Sequence, residues 1–456
     1  MCHNRSKRAV ILLFALILVL HGCRSTDNPS TVSDISVEES SIRVLIDLDV
    51  TGNILSPSAE EALKQFIESE DGYQSFTKTV KSLGGPAQLK LEFPPVSGER
   101  RDAYLTGLRT EIMAGKGPDV FICAGGPSYV MDYTQMQDGG ISGNWESPLF
   151  PFPQQAMKRN TFLCLDEYIK DFQFSDCKNF APAIMEAGKY EDKQYLLPMS
   201  YTMPVTIFKE SDVQHTHTKD MTWQDMLDDS PELQAVAVMD SSIYMSTAFM
   251  SLTDSDKDEL PFSEQELLEF MTEKIHMERE LVSSNSASDY SSNILSLGFD
   301  KRLAEDVFPP EEPLTMIPCY SQQGGYVATV TSFVAVNANT EYPKAAAFLA
   351  DYVLSEDCQK SVLYSYILGT AVPIMDSLLQ EGKGLKYLDK SWGLSQKNYD
   401  EFCSLRDDIA RAEFSTQLNI EFQRLYVEIM DSADKKSIES LVHDAYMRMS
   451  MELAES

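Results

Sequence analysis

The sequence predicts an α/β fold that turns helical toward its C-terminal end. Three observations lead there. A β-branched, apolar run, "IRVLIDLDV" at 42–50, reads as a buried first strand. Strand-like runs and amphipathic helical segments then alternate through the first half, the order that builds a parallel sheet. After Tyr342 the apolar residues recur at helical spacing, and roughly the last hundred residues read as helices without strands.

Ahead of the first strand lies a targeting segment. Arg5, Lys7 and Arg8 form a basic start, and residues 9–20 are unbroken apolar. That run is shorter than the roughly 20 residues a membrane span needs. It fits the core of a secretory signal at 1–22. "LHGC" at 20–23 resembles a bacterial lipobox, in which Cys23 becomes the lipidated first residue, although His21 stands where a small or apolar residue is usual. The plainer alternative is an ordinary signal peptide cut nearby. Two acyl chains, each contributing about 0.8 kcal/mol per buried CH2, anchor stably where one does not. Residues 23–41 are rich in Ser, Asp, Glu and Thr without apolar period, and read as a flexible tether. The expected location is the extracytoplasmic face of the cell membrane.

The 456-residue chain carries a formal net charge of −32. Removing the signal strips three basic residues and no acidic one, so the mature chain is more acidic still. Such a balance argues against nucleic acid, which selects a basic face. It also argues against long-range capture of an anion, and its ordinary use is solubility. Of eight cysteines, Cys123, Cys164, Cys177, Cys319, Cys358 and Cys403 lie beyond Cys23. None has metal-site spacing, and mostly buried thiols are expected. No metal and no cofactor are expected.

The elements follow in order. Ser58 and Glu61 make a capping box for a helix whose apolar face is Ala62, Leu63, Phe66 and Ile67. "QLKLEF" alternates with period two and is a second strand. Tyr104, Leu105, Leu108, Ile112 and Met113 mark an amphipathic helix. The stretch after it, "GKGP" at 115–118, superficially resembles a phosphate loop. Such a loop runs strand, glycines, helix; this one runs helix, glycines, strand, and Gly117 follows Lys116 where Ser or Thr belongs. Gly115 is therefore a helix stop with positive φ, and Pro118 bars continuation. The third strand is "DVFICA" at 119–124. Ligands in open α/β sheets sit beyond the carboxyl ends of strands, which points to Gly125 and Gly126 just after it, though a tight turn would select the same residues. "AVAVMD" and "LTMIP" read as further strands, and Pro343 suits the first position of a helix. Leu441, Ala445, Met449 and Leu453 keep helical spacing to the end.

Five segments resemble, in order, those of the extracellular solute-binding proteins of ABC importers, family 1, of the maltose-binding-protein-like kind. They are "MAGKGPDVF" (113–121), "FLCLDEYIKD" (162–171), "EDKQYLLPMSYTMPVTIFKESD" (191–212), "MTWQDMLD" (221–228, with Thr222 as N-cap) and "TSFVAVNANTEYPKAAAFLADYVLSEDCQK" (331–360). The resemblance implies a two-lobed periplasmic-binding-protein-like fold of type II, with discontinuous lobes joined by hinge crossings. The lobes would comprise 42–164 with 335–374, and 165–334 with 375–456. It further implies a monomer that holds a neutral solute, an oligosaccharide in first place, and passes it to ABC transporter permease subunits.

Position and resemblance together nominate the ligand residues. Asp49 and Thr51 follow the first strand, where a solvated turn is the competing role. Gly125 and Gly126 follow the third. Asp166 and Glu167 lie near the first crossing, where relatives place a ligand-facing carboxylate. Tyr201 follows the Leu-Pro segment, Thr331 and Ser332 hold positions of small cleft residues, and Phe414 matches a late aromatic that stacks on sugar in some relatives. For Tyr201 and Phe414 the competing role is core packing. Trp223 reads as structural; Trp145, in a Gly/Pro-rich insert at 139–153, reads as a cleft cap or surface decoration. "DLDVTGN" lacks the aromatic that many sugar-binding relatives carry there. "HTH" at 215–217 lacks a third metal ligand, and no Gly-x-Ser-x-Gly elbow is present. The competing functions are a surface glycan hydrolase using a carboxylate pair, and a receptor for a non-sugar solute such as a peptide or a cation.

Overall fold

The opening apolar run is the centre of a parallel trio. β1 (Ser41–Asp47) pairs with β2 (Gln88–Glu92) on one edge and β3 (Val120–Ala124) on the other. Ile42, Val44, Leu45 and Ile46 are buried, as a strand covered on both faces requires. The computed structural model describes residues 40–47, 78–132, 142–211, 218–283, 294–297, 313–360, 371–380, 385–387, 390–431 and 437–455, with isolated positions omitted within them. The signal, Cys23, the tether up to residue 39, the helix expected after Ser58 and the 215–217 histidines lie outside the described residues, while Ser41, expected in the tether, opens β1.

α1 (Gly98–Met113) joins β2 to β3, and its end obeys the sequence. Gly115 has φ 73°. Its N–H donates to the Ile112 carbonyl at 2.9 Å while that of Lys116 reaches the Glu111 carbonyl at 3.1 Å, the two bonds of a Schellman closure. After β3 the chain makes a hairpin of β4 (Ser128–Asp132) and β5 (Ser142–Glu146). Trp145 thus lies in a strand, at the register position facing Tyr129. The insert's far end returns to the core, where Phe150 meets Phe121 and Phe162 edge-on at 5.2 and 4.8 Å.

Short helices α2 (Pro153–Lys158), α3 (Asp166–Ile169) and α4 (Pro182–Glu186) lead to a tight hairpin of β6 (Lys189–Tyr190) and β7 (Lys193–Gln194). Its two turn residues, Glu191 and Asp192, both take positive φ, as a two-residue turn matched to strand twist demands. β8 (Leu196–Lys209) follows, and α5 (Trp223–Leu227) starts at Thr222, whose hydroxyl and Asp225 complete a capping box. Trp223 is fully buried, with its indole N–H on the Ala237 carbonyl at 3.0 Å, which makes it structural as expected.

Two expectations are corrected here. "AVAVMD" is not a strand but the body of α6 (Pro231–Met239). Ser230 caps its start and Pro231 occupies the first turn, so the start signal outweighs two β-branched valines. The C-terminal part also contains strands. α7 (Ser246–Phe249), α8 (Glu264–Ser283), β9 (Ile294–Leu297), β10 (Leu314–Pro318), β11 (Val327–Val336), α9 (Pro343–Val353) and α10 (Glu356–Lys360) come first. Then β12 (Val372–Pro373), β13 (Leu385–Tyr387), β14 (Lys390–Trp392) and β15 (Arg411–Phe414) intersperse with α11 (Gln396–Asp407), α12 (Gln417–Asp431) and α13 (Ile438–Glu455). These strands are two to four residues long, and β12 and β15 take partners from distant β8 and β11, so no local period betrays them.

The main sheet runs β10-β8-β11-β3-β1-β2, with β12 and β9 also on β8 and β15 on β11. β8 serves both ends of it. Leu196 to Thr202 pairs with β11, whereas Met203 to Lys209 pairs with β9 and β10. β11 divides likewise between β15 and β3. Two aromatic clusters mark the halves: Phe121, Phe150, Phe162 and Phe333 in one, and Trp223, Phe249, Phe270 and Phe422 in the other. In α13, Leu441, Ala445, Met449 and Leu453 are all buried. Cys123, Cys319 and Cys358 are buried and Cys164, Cys177 and Cys403 half-buried, all six as free thiols. No helix among the described residues is long and apolar enough to cross a membrane.

Candidate functional site

The carboxyl end of β3 meets the middle of β11, and the local chemistry there comes from backbone and hydroxyls. The Gly125 N–H donates to the Thr331 carbonyl at 2.8 Å. A Cβ on Gly125 would stand 2.1 Å from the Val330 carbonyl oxygen, and one on Gly126 would stand 2.6 Å from Ser415 Cβ. Both glycines are therefore required by close approach to another chain segment, which goes further than a tight turn. Opposite them, the β8–β11 register shifts between Val330 and Ser332 and again before Phe333. A bulge of this kind bends a strand and re-aims its side chains.

Three hydroxyls meet at the bulge. Ser200 Oγ lies 2.7 Å from Thr331 Oγ1 and 2.5 Å from Ser332 Oγ. Ser200 and Ser332 are buried and Thr331 is half-buried. Ser415, beside Gly126, adds a buried hydroxyl with no hydrogen-bond partner among the described residues. Next to these, Tyr201 is fully buried and its hydroxyl donates to Asp376 Oδ2 at 3.2 Å. Burial, with Asp376 second, pushes that phenol well above its ordinary value, so it remains a donor. Phe414 is buried too, packed edge-on against Phe333 at 5.5 Å.

The fold thus gathers Gly125, Gly126, Tyr201, Thr331, Ser332 and Phe414, residues scattered over nearly 300 positions, into one place. Tyr201 and Phe414 enter as enclosed rings. Asp166 and Glu167 are not brought there. Asp166 accepts the Gln194 N–H at 3.0 Å, in the β7 segment that precedes β8. Glu167 is exposed on α3. Asp49 and Thr51 lie outside the described residues. Sequence reasoning missed Ser200 and Ser415. Ser200 had a signal, as a small polar residue inside the otherwise apolar "LLPMSY" run; Ser415 had none.

Asp47, two positions before Asp49, is also informative. It is buried at the carboxyl end of β1 and gripped by Arg101, whose Nη1 and Nη2 reach its two oxygens at 2.9 and 3.1 Å. It also accepts the Leu149 N–H at 3.1 Å, which ties the insert to the sheet. What the crossing itself offers is a set of neutral donors and acceptors with backbone close at hand. That suits hydrogen bonding to an uncharged polar group. Among the described residues no group of three His, Cys, Asp or Glu side chains could hold a metal ion.

Solved structures share this architecture. The chain is similar to an extracellular solute-binding protein of family 1 from Alicyclobacillus acidocaldarius subsp. acidocaldarius DSM 446, with 11% identity and a TM-score of 0.53, covering 94% of this chain and 100% of that one. It is similar to a periplasmic oligogalacturonide-binding protein from Yersinia enterocolitica (14% identity, TM-score 0.52, 91% and 99% covered). The sugar-binding protein MalE of Xanthomonas citri gives 12% identity and a TM-score of 0.51, with 91% and 98% covered. No family model matches the sequence, and no curated protein matches it. The fold is therefore that of the two-lobed α/β solute-binding proteins, and the likeness at these identities is one of fold.

Proposed function

We propose that the chain is a lipid-anchored extracytoplasmic receptor. It captures a neutral solute, an oligosaccharide in first place, where the two lobes meet, and delivers it to the permease of an ABC importer. No bond is made or broken. Residues 42–164 with 335–374 would form one lobe and 165–334 with 375–456 the other, with Cys23 as the anchor. The observation that carries this reading is the strand crossing, where Gly125, Gly126, Ser200, Thr331 and Ser332 cluster backbone and hydroxyls beyond the carboxyl end of β3, with Gly126 and Thr331 half-buried. A fold neighbour named for sugar binding supports a saccharide as the solute class.

The test is thermal denaturation of the chain from Ser40 onward against oligosaccharides, peptides and metal ions. A ligand at a hundredfold its Kd adds about 2.7 kcal/mol of stability. The expected result is a clear upward shift with one sugar, recovered intact. A shift with a peptide or cation alone overturns the sugar; recovery of cleaved sugar overturns the receptor.

A further inference from the structure

Along the other edge of β8, at the level of the hydroxyl cluster, runs a charged network. Tyr201 donates to Asp376 Oδ2, and Arg406 Nη1 donates to Asp376 Oδ1 at 2.9 Å. Asp376 is 5% exposed. It follows β12 by three residues, while Arg406 lies in the last turn of α11 and also holds Asp407 at 2.7 Å.

The backbone alone holds this segment thinly. β12 is two residues long, pairing Val372 with Tyr201 and Pro373 with Ser200, and Pro373 has no N–H to give. Beyond it, the Ile374 N–H reaches the Met199 carbonyl at 2.8 Å and the Met375 N–H reaches Gln359 Oε1 at 3.1 Å. On the opposite edge of β8, facing the same Ser200 and Tyr201, β11 carries its register shifts. The bend of one crossing strand and the fastening of another therefore share two residues. Domain closure is absorbed by a few such residues.

We propose that Tyr201, Asp376 and Arg406 form a latch across the strand crossing, holding residues 372–376 on β8 and so fixing the angle at which the two halves of the sheet meet. Tyr201 then acts as a positioning residue, beneath any ligand and not against it. The latch goes beyond the receptor reading and is testable without a ligand.

Amide hydrogen exchange of the full chain tests it. Tyr201→Phe removes only the donated hydroxyl. The expected result is exchange faster by roughly tenfold, the scale of one lost hydrogen bond, at 372–376 and also across the bulge at 330–333. The buried strand at 120–124 keeps its parent rate. Asp376→Asn gives the same localised pattern, and the double variant exchanges no faster than the faster single one. The latch is overturned by exchange unchanged in both single variants, by a rise at 372–376 that leaves 330–333 untouched, by a uniform rise through the chain, or by additive effects in the double variant.

Discussion

Among the described residues two cations are buried, Arg101 beside β1 and Lys274 in α8, and they are held in different ways. In the half built on β1 to β3, Arg101 meets Asp47 through two parallel bonds and also reaches the Pro95 and Ser147 carbonyls at 3.2 and 3.0 Å. In the helical half, Lys274 stands 3.8 Å from Glu278, donates to the Val238 carbonyl and lies 5.0 Å above the Tyr426 ring. A guanidinium is a planar fork that matches a carboxylate twice over and has donors to spare. An ammonium is a compact charge, so here a carbonyl and an aromatic face take over most of its stabilisation. The first half is thus fastened by a paired charge, the second by packing around a poorly paired one.

That contrast can be broken from the strong side first. Asp47→Ala leaves a buried guanidinium without its counter-charge and is expected to cost about 3–5 kcal/mol, read as a lower midpoint in chemical denaturation. A loss below about 1 kcal/mol would mean that the carbonyls alone suffice. Lys274→Met keeps the volume, and Glu278 keeps the Tyr426 hydroxyl at 2.7 Å. The expected cost is smaller, about 1–3 kcal/mol, and equality with Asp47→Ala would erase the contrast.

The same lysine gives a pH signature. Burial, opposed by Glu278, lowers the Lys274 pKa below 10.5. The unfolded chain then holds that proton more tightly, so the site's contribution rises as pH climbs through the folded pKa and levels off above 10.5. Parent stability minus that of Lys274→Met is expected to grow along that climb; a flat difference would refute the depressed pKa.

Two glycines sharpen the picture at the join and at the surface. Gly125→Ala drives a Cβ to 2.1 Å from a backbone oxygen that cannot swing aside. About 1–3 kcal/mol should be lost, together with any solute affinity found in the thermal assay. Gly107 in α1 is exposed, with nothing within 4 Å of an added Cβ. Gly107→Ala should raise stability by about 0.5–1 kcal/mol, measured as a higher denaturation midpoint.

Much of the fold was legible because its signals are local. Gly115 and Pro118 stop α1, Thr222 caps α5, and the apolar runs of β1 and β3 declare themselves. The glycine pair after β3 was legible from strand order alone. β12 and β15 were not, because their partners lie over 80 residues away. The valines of α6 imitated a strand until Ser230 and Pro231 are weighed as a start signal. In the site, Thr331 and Ser332 were legible by resemblance, whereas Ser415 becomes relevant only because Gly126 touches it. Asp166 and Glu167 sat near a crossing in sequence, yet Asp166 is taken up by the Gln194 N–H and Glu167 is exposed.

By itself the sequence determined β1 to β3, the end of α1 and the start of α5, since caps, glycines and periodicity act within a turn or two. It also placed Lys274 four residues before Glu278, on one helical face. Only the tertiary structure decided that Arg101 meets Asp47 across 54 positions and that Tyr201 reaches Asp376 across 175. Those pairings depend on how β8 and β11 cross between the halves, and a contact made by strand register has no local signature in the chain.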